Sequence, residues 1–127
     1  MSKVVEVLIV DDQVSIRQML RQMIVQLGGK VVAEAADGIE AIEKYAITKP
    51  DMVLLDINMP RMNGIDALKA IRSADPNAMI VMLTSQNTLP VVRECVQSGA
   101  KNFLLKNNPP DVLMNELKKS WQDHILG

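Results

Sequence analysis

Side chains that could together handle a phosphoryl group occur at four points along the chain. They are an acidic pair, a third acid, a hydroxyl and a lysine: Asp11 and Asp12, Asp56, Thr84 and Lys106. Three carboxylates held close together raise one another's pKa, and a hard divalent cation such as Mg2+ removes that conflict. A carboxylate can also act as a nucleophile and form an aspartyl phosphate. The residue types therefore predict metal-dependent phosphoryl chemistry, provided that the fold brings them together.

Each of these residues has a definite role in that chemistry. Asp56 is the candidate nucleophile, and Asp12, Asp56 and a nearby backbone carbonyl are candidate Mg2+ ligands. Mn2+ accepts the same hard oxygen ligands and should substitute. Lys106 would neutralise charge on the far side of the phosphoryl group, and Thr84 could donate a hydrogen bond to one of its oxygens. Singly, such residues are more often caps, loop residues or solvated lysines, so the prediction depends on their convergence.

The elements that must position these residues follow from the hydrophobic pattern. Five short apolar runs have the length of strands buried on both faces. They cover residues 4–10, 31–35, 52–55, 79–83 and 102–105. Apolar residues at helical spacing lie between and after them, and the βαβαβαβαβα order predicts an α/β fold with a doubly wound, five-stranded parallel sheet. The reactive residues then follow the carboxyl ends of four strands and should meet at one edge of the sheet.

Length and composition limit the function classes. The 127 residues suit a single domain over positions 1–127. A formal net charge of -1 gives no attraction to nucleic acid or anionic lipid. No apolar stretch reaches the roughly 20 residues that span a bilayer, so membrane insertion is not expected. The lone Cys95 excludes an internal disulfide and fits a reducing, cytoplasmic location.

The motifs around the reactive residues resemble those of bacterial response-regulator receiver domains, including the single-domain chemotaxis type. They are Val-Asp-Asp at 10–12, Leu-Leu-Asp-Ile-Asn-Met-Pro-Arg-Met-Asn-Gly at 54–64, Leu-Thr-Ser at 83–85 and Ser-Gly-Ala-Lys-Asn-Phe-Leu-Leu-Lys at 98–106. The resemblance covers essentially the whole chain. It implies the flavodoxin-like (βα)5 receiver fold with strand order 2-1-3-4-5.

The resemblance also implies a two-component signalling function rather than turnover of an external substrate. Asp56 would take a phosphoryl group from a sensor histidine kinase or a phosphotransfer protein. Asp11, Asp12, Asp56 and the backbone carbonyl of Asn58 would serve Mg2+. Self-directed phosphoryl transfer and slow self-dephosphorylation would be the only catalysis. Asn58 and Gln86 resemble the positions that flank the path of the attacking water, and as small amides they should make that hydrolysis relatively quick in this member.

A switch is implied at Thr84 and Phe103. The face formed by the fourth helix, fifth strand and fifth helix would bind an effector protein in a phosphorylation-dependent way. Phe103 has no hydroxyl, so its signal would depend on packing. Asn107 departs from the family, in which proline usually follows the lysine after a cis bond. A cis Lys106–Asn107 bond would cost about 2.5–4 kcal/mol, so we expect either that bond or a rearranged loop.

Two other functions remain to be weighed. The first is a pseudo-receiver, which would bind partners without taking phosphate, and only the Asn107 departure favours it. The second is a phosphatase of the haloacid-dehalogenase type, which also uses an aspartyl nucleophile. That class needs a second aspartate two residues after the nucleophile as a general acid, and Asn58 occupies this place.

Overall fold

Strands and helices alternate along the whole of the described chain. The computed structural model describes residues 4–85 and 89–126, with side chains through residue 122. The elements are β1 Glu6–Val10, α1 Val14–Gln26, β2 Lys30–Ala35, α2 Gly38–Thr48, β3 Met52–Asp56, α3 Gly64–Ala74, β4 Ile80–Thr84, α4 Leu89–Gln97, β5 Asn102–Leu105 and α5 Pro110–Leu126. The predicted order is confirmed. The first strand begins later than predicted, at Glu6, because Val4 remains 54% exposed ahead of the sheet.

The five strands form one parallel sheet in the order β2-β1-β3-β4-β5, as predicted. The register aligns Val10 with Leu55, Asp56 with Leu83 and Thr84 with Leu105. The carboxyl ends of these four strands therefore lie side by side, and the polar residues that follow them share one edge.

Side chains alternate between two apolar layers because β3 and β4 are buried on both faces. One layer packs the sheet against α2, α3 and α4 and includes Leu55 and Met82. The other packs it against α1 and α5 and includes Leu54 and Leu83. Each fully buried side chain of this size contributes about 1.5–3 kcal/mol. Together the two layers hold the strands in register and so determine where their carboxyl ends lie.

Trp121 closes the second layer at the opposite edge of the sheet from the acidic residues. Its side chain is 5% exposed. A Cβ atom placed on Gly29 would lie only 2.0 Å from the Trp121 ring and 3.0 Å from Ile24. The ring therefore packs directly on the α1–β2 turn and anchors α5 there.

No helix in residues 4–85 or 89–126 has both the length and the apolar composition needed to cross a membrane.

Candidate functional site

Three carboxylates converge at the carboxyl edge of the sheet. Asp11 follows β1 and is fully buried, Asp56 ends β3 and is 2% exposed, and Asp12 lies at the surface. One oxygen from each lies within 4.8 Å of the others. Asp12 does not cap the first helix, because Gln13 holds that position and its N–H donates to Asp11 Oδ1 at 2.8 Å. All three acids of the predicted set are thus brought together.

Lys106, the residue that follows β5, completes the cluster. Its Nζ lies 2.7 Å from Asp11 Oδ2 and 3.4 Å from Asp56 Oδ1. The N–H of Lys106 donates to the Thr84 carbonyl at 2.8 Å, which continues the sheet register by one residue. A turn then follows, in which the Asn108 N–H donates to the Leu105 carbonyl at 3.2 Å. Lys106 therefore lies where the sequence placed it.

The Lys106–Asn107 bond is trans, as are all peptide bonds in the described ranges. The cis alternative is therefore wrong for this loop. A β-turn over residues 105–108 takes the place of the cis bond that the resemblance allowed, and Pro109 directly precedes α5, whose first residue is Pro110. This is the rearranged loop that the Asn107 departure predicted as the other possibility.

The negative charges of the three carboxylates are only partly balanced by positive groups of the protein. The pKa of Asp56 is raised from 3.8 to about 6: burial is the main cause, the negative charges of Asp11 and Asp12 add to it, and Lys106 opposes it. For Lys106, burial lowers the pKa, but the close contact with the Asp11 carboxylate and the negative charges of Asp56 and Asp11 outweigh this effect, so the pKa is raised on balance. The ammonium therefore stays charged, and one cation faces three acids.

The same residues suit a hard divalent cation. Asp56 Oδ2 is buried and has no hydrogen-bond donor within the described ranges. Asp11 Oδ2 has the Lys106 ammonium at 2.7 Å but no hydrogen bond of acceptable angle. Leaving such an oxygen unpaired costs about 1–3 kcal/mol or more when it is charged. Carboxylate oxygens clustered in this way are the ligands that Mg2+ prefers.

Arg17 supports the cluster and was not identified from the sequence. From α1, its Nη1 donates to the Asp11 carbonyl at 2.6 Å, while its Nε contacts Glu34 of β2 at 3.1 Å. These contacts hold the turn that carries Asp11 and Asp12. The available signal was a basic side chain next to the apolar stripe of α1, but its partner on β2 depends on the tertiary fold.

Gly64 lies where α3 comes closest to the end of β3. It is the first residue of α3, is buried, and its N–H donates to the Ile57 carbonyl at 2.7 Å. A Cβ at this position would lie 1.9 Å from the Asp56 carbonyl oxygen. Glycine is needed because α3 approaches the backbone of Asp56 itself.

The predicted switch residues lie on one side of the sheet. Thr84 is 1% exposed, and Met82, two residues earlier in β4, belongs to the layer under α2, α3 and α4. Phe103 is partly buried against the same layer and pairs with Met82. Asn58 is exposed in the loop after β3. Gln86, the other residue assigned to water access, lies outside the described residues.

Comparison with known proteins agrees with this geometry. The family model of the response regulator receiver domain matches residues 7–118. Chemotaxis protein CheY of Thermotoga maritima is 45% identical over 113 residues, which cover 89% of this chain and 94% of that protein. Chemotaxis protein CheY of Bacillus subtilis is 40% identical over 114 residues, covering 90% and 95%.

Solved structures give the same result. A CheX–CheY–BeF3–Mg2+ complex from Borrelia burgdorferi matches with a TM-score of 0.87 and 34% identity, covering 92% of this chain and 89% of that one. The receiver domain of Thermotoga maritima CheB matches with a TM-score of 0.86 and 33% identity, covering 96% and 97%. The chain therefore belongs to the family of response regulator receiver domains.

Proposed function

We propose that this receiver domain accepts a phosphoryl group on Asp56 from a sensor histidine kinase or a phosphotransfer protein of the cytoplasm. The observation that carries the proposal is the state of the Asp56 carboxylate. It is buried at the centre of the acidic cluster, its Oδ2 has no hydrogen-bond donor in the described structure, and Lys106 lies 3.4 Å from its Oδ1. A carboxylate in this setting is a nucleophile with a cation placed beside it.

The reaction is a transfer between two nucleophiles. An oxygen of Asp56 forms a bond to phosphorus while the bond from phosphorus to the donor's imidazole nitrogen breaks, and that nitrogen keeps the electron pair. Lys106 neutralises charge on the phosphoryl oxygens, and Thr84 donates a hydrogen bond to one of them. Buried Asp11 holds Lys106 in place through the 2.7 Å contact.

Asp11, Asp12, Asp56 and the backbone carbonyl of Asn58 would hold Mg2+, for which Mn2+ would substitute. The ion, when bound, supplies positive charge next to the phosphoryl oxygens. Two features support this assignment: the three acids with an unpaired buried oxygen, and the Mg2+ in the complex of the Borrelia relative. The exposed Asn58 side chain leaves space for the water that later hydrolyses the aspartyl phosphate.

The output of the domain would be a change at the surface formed by α4, β5 and α5. Thr84 and Phe103 lie on the same side of the sheet, so movement of Thr84 toward a phosphoryl oxygen would free space for Phe103 to turn inward. Such a change biases a two-state element through a local charge. An effector protein that binds this surface would then distinguish the two states.

Incubation with acetyl phosphate and Mg2+ is expected to place one phosphoryl group on Asp56. Mass spectrometry of the intact protein and of its peptides measures the adduct. Asp66→Asn, which removes an exposed carboxylate of α3, serves as a control and should label normally. A wild-type protein that takes no phosphoryl group under these conditions would contradict the proposal and support the pseudo-receiver.

Asp12→Ala is expected to prevent this labelling while leaving the fold intact. Asp12 is exposed and makes no helix cap, so its removal should change the free energy of unfolding by less than about 0.5 kcal/mol. Its loss takes away one of three carboxylates of the acidic cluster. Labelling yield and Mn2+ binding, measured side by side with thermal unfolding, check both parts. Normal labelling of a folded Asp12→Ala protein would remove Asp12 from the metal assignment.

A further inference from the structure

The loop that follows Asp56 is attached to the beginning of α2. This loop, residues 57–63, connects β3 to α3 and contains Asn58 and Arg61. The Gly38 N–H donates to the Met62 carbonyl at 3.2 Å. A Cβ on Gly38 would lie 2.7 Å from that carbonyl oxygen and 2.8 Å from the Met62 side chain. The backbone of α2 is therefore in direct contact with the loop.

Arg61 makes the second contact between the same two segments. Its Nε lies 2.8 Å and its Nη2 2.6 Å from Asp37 Oδ2, and Nη2 lies 3.8 Å from Glu40. The Asp37 side chain is only 7% exposed. Its other oxygen, Oδ1, accepts the Glu40 N–H at 2.9 Å and caps α2. One carboxylate thus joins the start of α2 to the loop after Asp56.

The backbone of Arg61 adopts a conformation that residues with a Cβ rarely adopt. Its φ is 64°, in the left-handed region that costs a residue with a Cβ about 1–2 kcal/mol. The pair with the buried Asp37 carboxylate offsets that cost and keeps the loop in one conformation. If the pair is lost, other backbone conformations become accessible between Asp56 and Asn63, and the Asn58 carbonyl is no longer held in one direction.

We propose that Arg61 and Asp37 are positioning residues that set the cation affinity of the acidic cluster. They do so by holding the loop that presents the Asn58 carbonyl next to Asp56, and neither residue contacts the cation. The inference rests on the proposed function, because it takes that carbonyl as a metal ligand. Residues that orient ligands in this indirect way typically change metal affinity 10- to 100-fold when removed.

Two substitutions of opposite charge test the proposal. Arg61→Asn keeps a residue that tolerates positive φ but cannot reach Asp37. Asp37→Asn keeps the α2 cap, because asparagine caps as well as aspartate does, but removes the charge that pairs with Arg61. On charge alone, loss of Arg61 should raise Mn2+ affinity and loss of Asp37 should lower it. Positioning predicts that both variants bind Mn2+ about 3- to 10-fold more weakly than wild type. This loss is smaller than the 10- to 100-fold typical of such residues, because Arg61 is half exposed.

The measurement is an Mn2+ titration followed by electron paramagnetic resonance, with Arg61→Asn/Asp37→Asn as the double variant. The double variant should bind no more weakly than the weaker single variant, because both remove one contact. Lys69→Asn is the matched control: it breaks an exposed pair with Glu94, away from the loop, and should bind like wild type. Arg61→Lys should recover part of the affinity.

If Arg61→Asn binds Mn2+ as tightly as wild type or more tightly, the inference is wrong. It is also wrong if the affinity losses of the two single variants add in the double variant. Amide hydrogen exchange without metal separates this result from failure of the proposed function. The Gly38 amide, which donates to the Met62 carbonyl, should exchange faster than in wild type in both single variants. In Lys69→Asn it should exchange at the wild-type rate. Wild-type protein that binds no Mn2+ would refute the metal assignment, whereas unchanged Gly38 exchange would refute the positioning of the loop.

Discussion

Asp56→Asn is expected to abolish phosphoryl incorporation and, without divalent cations, to make the fold more stable at neutral pH. The loss follows because an amide is not a nucleophile at this position. The gain follows because the ionised Asp56 carboxylate is buried, with Asp11 and Asp12 beside it and one oxygen unpaired. The neutral amide removes this unfavourable charge and keeps the shape of the side chain.

The direction of this stability change and the pH range over which it appears follow from the raised pKa of Asp56. The pKa is about 6 in the folded state and 3.8 when unperturbed. Between these values the folded state binds more protons, so the contribution of Asp56 to stability falls as pH rises. The penalty is complete above about pH 6 and absent below about pH 4. Two pKa units correspond to about 3 kcal/mol, so Asp56→Asn should gain about 2–3 kcal/mol at pH 7.5 and little at pH 4.

Urea unfolding in chelator at several pH values measures this gain, and the same experiment with Mg2+ provides a second check. Cation binding to the folded state should stabilise wild type more than Asp56→Asn, since the variant lacks one ligand carboxylate. The difference between the two proteins should therefore shrink or reverse with Mg2+. Asp66→Asn controls for the loss of an exposed carboxylate. If Asp56→Asn is less stable than wild type at pH 7.5 in chelator, the buried charge of Asp56 does not destabilise the fold.

Gly64→Ala is expected to destabilise the protein by about 3 kcal/mol or more. The added Cβ would lie 1.9 Å from the Asp56 carbonyl oxygen and 2.8 Å from the Ile57 Cα, and both are backbone atoms that no side-chain rotation can move. Overpacking in a core costs about 1–3 kcal/mol even where side chains can adjust. Either α3 must move away from β3 or the backbone of Asp56 must shift, so any folded variant should also label poorly.

Gly28→Ala is the matched control for this substitution. Gly28 has a φ of 86°, so alanine is strained there, but an added Cβ would find no atom within 4 Å. Its cost should stay near 1–2 kcal/mol, with normal labelling on Asp56. Chemical unfolding and labelling yield, measured for both variants, separate backbone strain from the clash at Asp56. Equal stability of the two variants would mean that the close approach of α3 does not constrain the site.

The strand ends were predictable because buried parallel strands are short, apolar and bounded by turns. That pattern alone placed Asp11, Asp56, Thr84 and Lys106 on one edge, and the strand register confirms it. The backbone conformation of the turn after Lys106 was harder to predict from the sequence. Asn107 allowed two backbone solutions, and the hydrogen bond from Asn108 to Leu105 belongs to the trans one.

The contacts that support the site could not be predicted in the same way. Arg61 and Asp37 are 24 residues apart and meet only because α2 and the loop after β3 pack side by side. The Gly64 approach likewise depends on the distance between α3 and the Asp56 backbone. Periodicity assigns a residue to an element and a face. It does not give the spacing between elements, which decides whether a glycine or an ion pair is required.

The position of Trp121 determines what an optical experiment on this protein can detect. It is the sole tryptophan in the sequence, and its indole ring packs on Gly29 at the edge of the sheet opposite the acidic cluster. Direct quenching by a paramagnetic ion at the acidic cluster would have to act across the length of the strands. Its emission should therefore follow the docking of α5 and global unfolding. A change in intrinsic fluorescence on phosphorylation would report a rearrangement that has travelled through the sheet, and not the chemistry at Asp56.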